Sequence, residues 1–212
     1  MLDYSRPPFT KWFVGGETNL CHNVVDRHLA ERGDQNALVY ISTEMDEEKV
    51  YTFKQLHTEV NRFAAILQSL GVGKGDRVLI YMPMIPEAIF AMLATVRIGA
   101  IRSVVFCGFA SPSLATRIDD AQPKVMVTAY ISMRGDKPVP YKHLVDEALR
   151  LSEYRPKHVV IVNRGLDKGT PLIVNRDLDY ASLRQLHLKA SRDRYPLLWC
   201  RSQSTRLDNE CS

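Results

Sequence analysis

Residues 75–130 read GDRVLIYMPMIPEAIFAMLATVRIGAIRSVVFCGFASPSLATRIDDAQPKVMVTAY, and the alternation inside this stretch sets the fold class. The β-branched, apolar run 77–81 predicts a strand, and Pro86 suits the first turn of a helix over 86–98 that stops at Gly99. A second strand follows at 103–106. Ser111-Pro112 opens a helix to residue 120, with Ser111 as its cap, and a third strand covers 124–128. Beyond the quoted stretch, 141–151 reads as a helix and 158–162 as a fourth strand. Strands separated by helices of this length require right-handed crossovers, so the prediction is an α/β fold, a mainly parallel sheet with helices on both faces. Ligands of such sheets sit beyond the carboxyl ends of the strands, which singles out the loops 82–86, 106–111 and 129–137.

Upstream, Gly15-Gly16 breaks an extended lead, and Asn19 stands where it would cap one helix over 20–30 with Leu20, Val24, Val25 and Leu29 on a shared face. Short β-prone runs at 37–41 and 50–52 flank an acidic turn and predict a hairpin. Thr52 and Gln55 have capping-box spacing ahead of Leu56, Val60, Phe63, Ile66, Leu67 and Leu70, which recur every three or four residues until Gly71 closes the helix.

Composition removes several function classes. The 28 Lys and Arg residues are scattered among 24 Asp and Glu, for a formal net charge of +4, and no basic stripe with aromatic platforms is formed, so no nucleic-acid partner is expected. No apolar run approaches the ~20 residues of a membrane span, and residues 1–10 lack the apolar centre of a secretory signal. Cys21, Cys107, Cys200 and Cys211 lie far apart and the six histidines are dispersed; neither a metal-ligand spacing nor a disulfide framework is present. Reduced thiols, a cytoplasmic location and no metal site are the expectation.

Three motifs invite a chemical reading that their context denies. Gly71-Val72-Gly73-Lys74-Gly75 lacks the Ser or Thr that follows Gly-Lys in a phosphate loop, and it leaves a helix rather than a strand, so it reads as a helix end and turn. The strand ending at Tyr81 runs into Met82-Pro83-Met84-Ile85-Pro86, with no glycine to admit a dinucleotide pyrophosphate. No serine stands in a G-x-S-x-G setting, which disfavours a hydrolase nucleophile.

A set of phrases in order along the chain is more specific. Trp12-Phe13-Val14-Gly15-Gly16, Thr18-Asn19-Leu20-Cys21-His22-Asn23 and Asp26-Arg27-His28 are followed by Gly75-Asp76-Arg77-Val78 and Tyr81-Met82-Pro83-Met84-Ile85-Pro86-Glu87. Ala91-Met92-Leu93-Ala94, Arg97-Ile98-Gly99-Ala100, Ser103-Val104-Val105-Phe106 and Arg117-Ile118-Asp119-Asp120 complete the series. Over roughly residues 4–188 the chain resembles the AMP-forming short-chain acyl-CoA synthetases, an adenylate-forming family. Met82-Pro83-Met84, Arg134-Gly135 and Val139-Pro140-Tyr141-Lys142 bring it nearer the propionate-activating branch than the acetate-activating one. The resemblance divides the chain into an N-terminal segment (1–52), the first part of the AMP-binding domain (53–188) and a tail outside the family pattern (189–212) that is expected to be poorly ordered. Such a tail is what a reading-frame break in a longer synthetase would leave.

The resemblance implies a two-step reaction in which a carboxylate and ATP give acyl-adenylate and pyrophosphate, and the CoA thiol then displaces AMP. ATP with Mg²⁺, and CoA, are the implied substrates. The Ser/Thr/Gly-rich phosphate loop and the catalytic Lys of the family do not occur in these 212 residues, so no catalytic residue is assigned and none of the substrates is expected to bind tightly. What the resemblance does place here is a CoA surface: Phe106, Cys107 and Gly108 in a loop that lies against the adenosine, and Arg134 and Lys137 at two basic positions that meet phosphate. Cys107 and Asp136 stand where the family carries Gly, and both are expected to weaken that contact. Read from the residues alone, Phe106 is equally a core residue at a strand end, and Arg134 and Lys137 a solvated loop. Three readings follow: an incomplete propionate or acetate ligase inactive by itself, a non-catalytic CoA-binding module, and an interaction fragment with an uncovered sheet edge.

Overall fold

The computed structural model describes residues 2–12, 14–135, 137–166, 170–188 and 200–201. In chain order the elements are β1 (Leu2–Arg6), β2 (Phe9–Trp12), β3 (Glu17–Thr18), α1 (Leu20–Val24), a 3₁₀ turn (Asp26–His28), α2 (Leu29–Arg32), β4 (Asn36–Ser42), β5 (Glu47–Thr52) and α3 (Phe53–Ser69). They continue with β6 (Arg77–Tyr81), α4 (Pro86–Arg97), β7 (Ile101–Val104), α5 (Ser111–Ala121), β8 (Val125–Ala129), β9 (Ser132–Arg134) and β10 (Lys137–Val139). α6 (Tyr141–Leu151), β11 (His158–Val162), β12 (Asp177–Asp179), α7 (Tyr180–Leu186) and β13 (Cys200–Arg201) close the series.

The predicted α/β sheet is present as five parallel strands in the order β12-β11-β8-β6-β7. Its side chains alternate between two cores, as a pleat covered on both faces demands. Val78, Ile80, Val125, Val127 and Val160 point to the layer of α3 and α4, while Leu79, Tyr81, Met126, Val159 and Ile161 meet α5 and α6. β7 and β8 flank β6 on opposite sides, so the chain reverses direction across the sheet at β6, where open sheets form a crevice at the carboxyl ends.

Local signals account for the elements around this sheet. Thr52 and Gln55 form the full capping box at the start of α3, and Gly71 adopts φ +83° just past its end. Gly71–Gly75 lies at the amino end of β6, opposite the crevice, where Gly75 N–H bonds Gly99 carbonyl at 2.9 Å. The hairpin predicted over 37–52 is β4–β5.

Three expectations need correction. The helix over 20–30 is broken into α1, the 3₁₀ turn and α2, because Val25 leaves helical geometry (φ −123°, ψ −65°) to let the segment dock on α4. Ser111 does not cap α5: the N-cap is Ala110, and Ser111 is the buried first helical residue. The second strand of the sheet spans 101–104 instead of 103–106, which releases Val105 and Phe106 into the loop above it. The β9–β10 hairpin, β12 and α7 have no counterpart in the sequence reading. The tail 189–212 lies outside the described residues except for Cys200–Arg201, which pairs antiparallel with β3.

Docking of the N-terminal segment is a polar joint. Asn19 Nδ2 donates to the carbonyls of Val96 (3.0 Å) and Arg97 (3.2 Å) at the end of α4, while its Oδ1 accepts from the N–H groups of Cys21 (2.9 Å) and His22 (3.2 Å) at the start of α1. One amide thus satisfies orphan groups of two helix ends. Beneath it Arg97, with its side chain 4% exposed, donates from Nη1 to both oxygens of Asp26 at 2.9 and 2.8 Å, and His57 Nε2 stands 3.3 Å from the same carboxylate. Burial alone would raise the Asp26 carboxyl, but the hydrogen bond from His57 and the charge and hydrogen bonds of Arg97 outweigh it and hold it below 3.8. Cys21 lies in the same joint, and desolvation pushes its thiol up to about 11, so it stays protonated. A second joint fixes the far edge of the sheet: Lys142 of α6 meets Asp177 of β12 at 2.9 Å, and Arg176 meets Asp177 at 2.6 Å.

Candidate functional site

The loops that follow β6, β7, β8 and β11 converge at the carboxyl edge of the sheet and, with the tip of the β4–β5 hairpin, enclose a cavity of about 500 Å³. Pro83 to Ile85 arrive from β6, Phe106 to Ala110 from β7, Ser132 to Arg134 from β8 and Arg164 from β11. Topology brings these residues together, since each parallel strand delivers its next loop to the same edge.

The loop after β7 carries three of the expected site residues. Phe106 is 66% exposed, lines the cavity and packs T-shaped against Phe109, with ring centroids 6.0 Å apart. Phe109 is fixed from behind by the Arg117 guanidinium, 4.1 Å from its ring centre, and its carbonyl accepts from the Tyr81 hydroxyl at 2.8 Å. A Cβ at Gly108 would sit 2.5 Å from Cε1 of the exposed Phe106 ring, so a side chain there would displace that ring. Cys107 is half-buried and shares a hydrogen bond with the Tyr141 hydroxyl; burial first, and that bond second, push the Tyr141 phenol far up. Burial likewise pushes Tyr81 up to about 12, so both phenols are neutral donors at neutral pH.

The two basic residues come from the β9–β10 hairpin, where Arg134 and Lys137 face each other across the turn. Gly135 takes φ +59° there, a conformation glycine adopts without strain. Both cations are exposed, and among the described residues neither takes part in an ion pair. Arg134 lines the cavity and Lys137 does not, so four of the five expected residues converge and the fifth stands beside them. Asp136 lies outside the described residues.

The sequence reading missed a polar frame under this surface. Arg164, with its side chain 9% exposed, donates from Nη1 to Glu44 Oε2 (2.8 Å) and Ser132 Oγ (2.7 Å), and from Nη2 to the hydroxyl oxygens of Tyr40 (3.1 Å) and Ser42 (3.4 Å). No local pattern marks it, because Arg164 and Glu44 are 120 residues apart. Exposed Ile41, Met84 and Phe106 give the cavity mouth an apolar rim beside the two cations. An exposed aromatic ring, an apolar rim and adjacent exposed cations suit a ligand with a planar base and phosphate groups. Among the described residues no group of three or more His, Cys, Asp or Glu side chains is arranged to hold a metal ion, and no helix is long and apolar enough to cross a membrane.

Comparison with known proteins agrees with this architecture. Residues 25–192 match the AMP-binding enzyme family, and residues 1–24 match the acetyl-coenzyme A synthetase N-terminus. The chain is 55% identical to a propionate–CoA ligase of Salmonella typhimurium over 204 residues, which is 96% of this chain and 32% of that protein. It is 53% identical to an acetyl-coenzyme A synthetase of Thiobacillus denitrificans over 165 residues, 77% of this chain and 25% of the relative. Identity to the mitochondrial acyl-CoA synthetase short-chain family member 3 of Rattus norvegicus is 43% over 198 residues, 93% of this chain and 29% of the relative. The chain thus spans about a third or less of the length of these curated relatives. With its parallel sheet, its crevice at the carboxyl edge and these matches, the chain belongs to the AMP-binding enzymes, within the short-chain acyl-CoA synthetases.

Proposed function

We propose that this chain forms the CoA-holding part of a propionate-activating acyl-CoA synthetase, and that by itself it performs no adenylation. The observation that carries this reading is the exposed Phe106 ring beside Arg134 at one cavity, with the exposed Lys137 facing Arg134 across the hairpin turn. In this reading the adenine of CoA stacks on Phe106, worth about 1–3 kcal/mol for a base on an aromatic side chain, and Gly108 leaves the ring room for its observed position. Arg134 grips phosphate through paired N–H donors and Lys137 adds a point charge, so both weaken as salt rises. Nothing among the 212 residues supplies a Ser/Thr/Gly-rich cradle for the ATP phosphates, and the whole reaction, carboxylate plus ATP plus CoA to acyl-CoA, AMP and pyrophosphate, is assigned to the complete synthetase. Propionate is favoured over acetate by the 55% identity across 96% of the chain, and the reading includes a cytoplasmic location.

Two measurements on the purified chain test this. Calorimetric titration with CoA should show weak, salt-sensitive binding, and ATP–pyrophosphate exchange with propionate should be absent. Propionate-dependent exchange would sink the claim of inactivity, and a flat CoA titration at millimolar ligand would sink the claim of binding.

A further inference from the structure

We propose that Arg164 is a positioning residue for the phosphate grip: it orients Arg134 and Lys137 without touching the ligand. This rests on the CoA reading above. The β9–β10 hairpin that carries both cations has three residues in each strand and, among the described residues, pairs with no other strand. A two-stranded hairpin of that size is at best marginal on its own and needs an external anchor. Ser132, at the start of β9 and buried, provides it: its Oγ accepts from Arg164 Nη1 at 2.7 Å and lies 3.3 Å from Glu44 Oε2.

Ser132 and Arg134 are two residues apart on one strand, so their side chains leave the same face, and fixing the first sets the direction of the second. The other end of the frame is the β4–β5 hairpin, reached through Tyr40, Ser42 and Glu44. Tyr40, Ile85 and Arg164 also line both the main cavity and a neighbouring one of about 180 Å³, so together they form the wall between the two. The Arg164 charge is met by Glu44 at 2.8 Å, which leaves attraction of the ligand to the two exposed cations. The planar guanidinium reaches four acceptors from two nitrogens; an ammonium on a flexible stem cannot hold the same set.

The test uses the full chain and two probes, CoA and adenosine, with hydrogen exchange as a ligand-free readout. Arg164→Gln should weaken CoA binding about tenfold while adenosine, which only stacks, changes less than about twofold. Exchange in residues 132–139 should quicken while 77–81 stays protected, and Arg164→Lys, expected to fold where Gln does not, should fall between. An equal loss for CoA and adenosine, or faster exchange throughout the chain, would mean a merely structural residue and overturn the proposal. Unchanged CoA affinity in Arg164→Gln would overturn it alone, whereas a wild-type chain that binds no CoA would overturn the CoA reading and this proposal with it.

Discussion

The joint between the N-terminal segment and α4 and the cavity mouth at the carboxyl edge are both polar, and they use their polar groups in opposite ways. In the joint, Asn19, Asp26, His57 and Arg97 face one another under cover, and one carboxylate receives both the guanidinium and the imidazole. At the mouth Phe106 and Arg134 are exposed, and so is Lys137 beside them. Groups whose partners lie within the chain spend their interaction energy on the fold, and groups left open keep it for a ligand. The phrases that carry the family resemblance fall in both places: Thr18 to Asn23, Asp26 to His28 and Arg97 to Ala100 build the joint, and Phe106 to Phe109 builds the mouth. A shared motif is therefore as often a clamp as a binding site.

The largest effect that would sharpen this contrast is expected from Asp26→Ala. It strands the buried Arg97 charge and should lower stability by about 3–5 kcal/mol in urea unfolding, with CoA affinity of the folded chain unchanged. A loss below about 1 kcal/mol would break the distinction between the two regions. Acid should act on the same side. Asp26 is held low against its burial by His57 and Arg97, and Asp177 is held low against its burial by Arg176, the Ile173 N–H and Lys142. Their contribution is complete above the ordinary value of 3.8 and is lost as pH falls below it, because the unfolded chain takes up the protons first. Denaturant midpoints should therefore fall below pH 4, and less steeply in Asp26→Asn; equal slopes would remove Asp26 from the account.

At the mouth the expected pattern reverses. Phe106→Ala removes an exposed ring, so stability should move by less than about 0.5 kcal/mol while CoA binding weakens by about 1–3 kcal/mol. A stability loss comparable to that of Asp26→Ala would make Phe106 a core residue after all. The smallest effect belongs to Gly108→Ala, whose methyl group would push the Phe106 ring from its place. Because that ring is exposed and free to yield, CoA affinity should fall by less than about tenfold with the melting temperature kept. No change at all would show that the ring orientation is irrelevant.

Much of the fold was legible because each signal was local. The βα alternation from Arg77 onward, the Thr52–Gln55 box and the α6 boundaries all depend on neighbours within a turn or a strand, and the structure repeats them. The failures share a different origin. Residues 20–30 have helical periodicity, yet the helix breaks at Val25 because Asn19 and Asp26 must reach α4, more than 70 residues away. Ser111 has the right chemistry for a cap but is drawn into the core, and β9–β10 is too short to show a period.

The candidate site divides along the same line. Sequence by itself determined the strand and helix succession, hence the parallel sheet and the edge at which its loops gather, because the period of apolar residues dictates which face each element must bury. Resemblance pointed to Phe106, Cys107, Gly108, Arg134 and Lys137, but only the tertiary structure decided that Phe106 turns outward and that Arg164 braces the hairpin through Glu44 and Ser132. Such contacts depend on where crossovers deliver distant loops, a position set by the packing of the whole sheet and all its helices and written in no single stretch of chain.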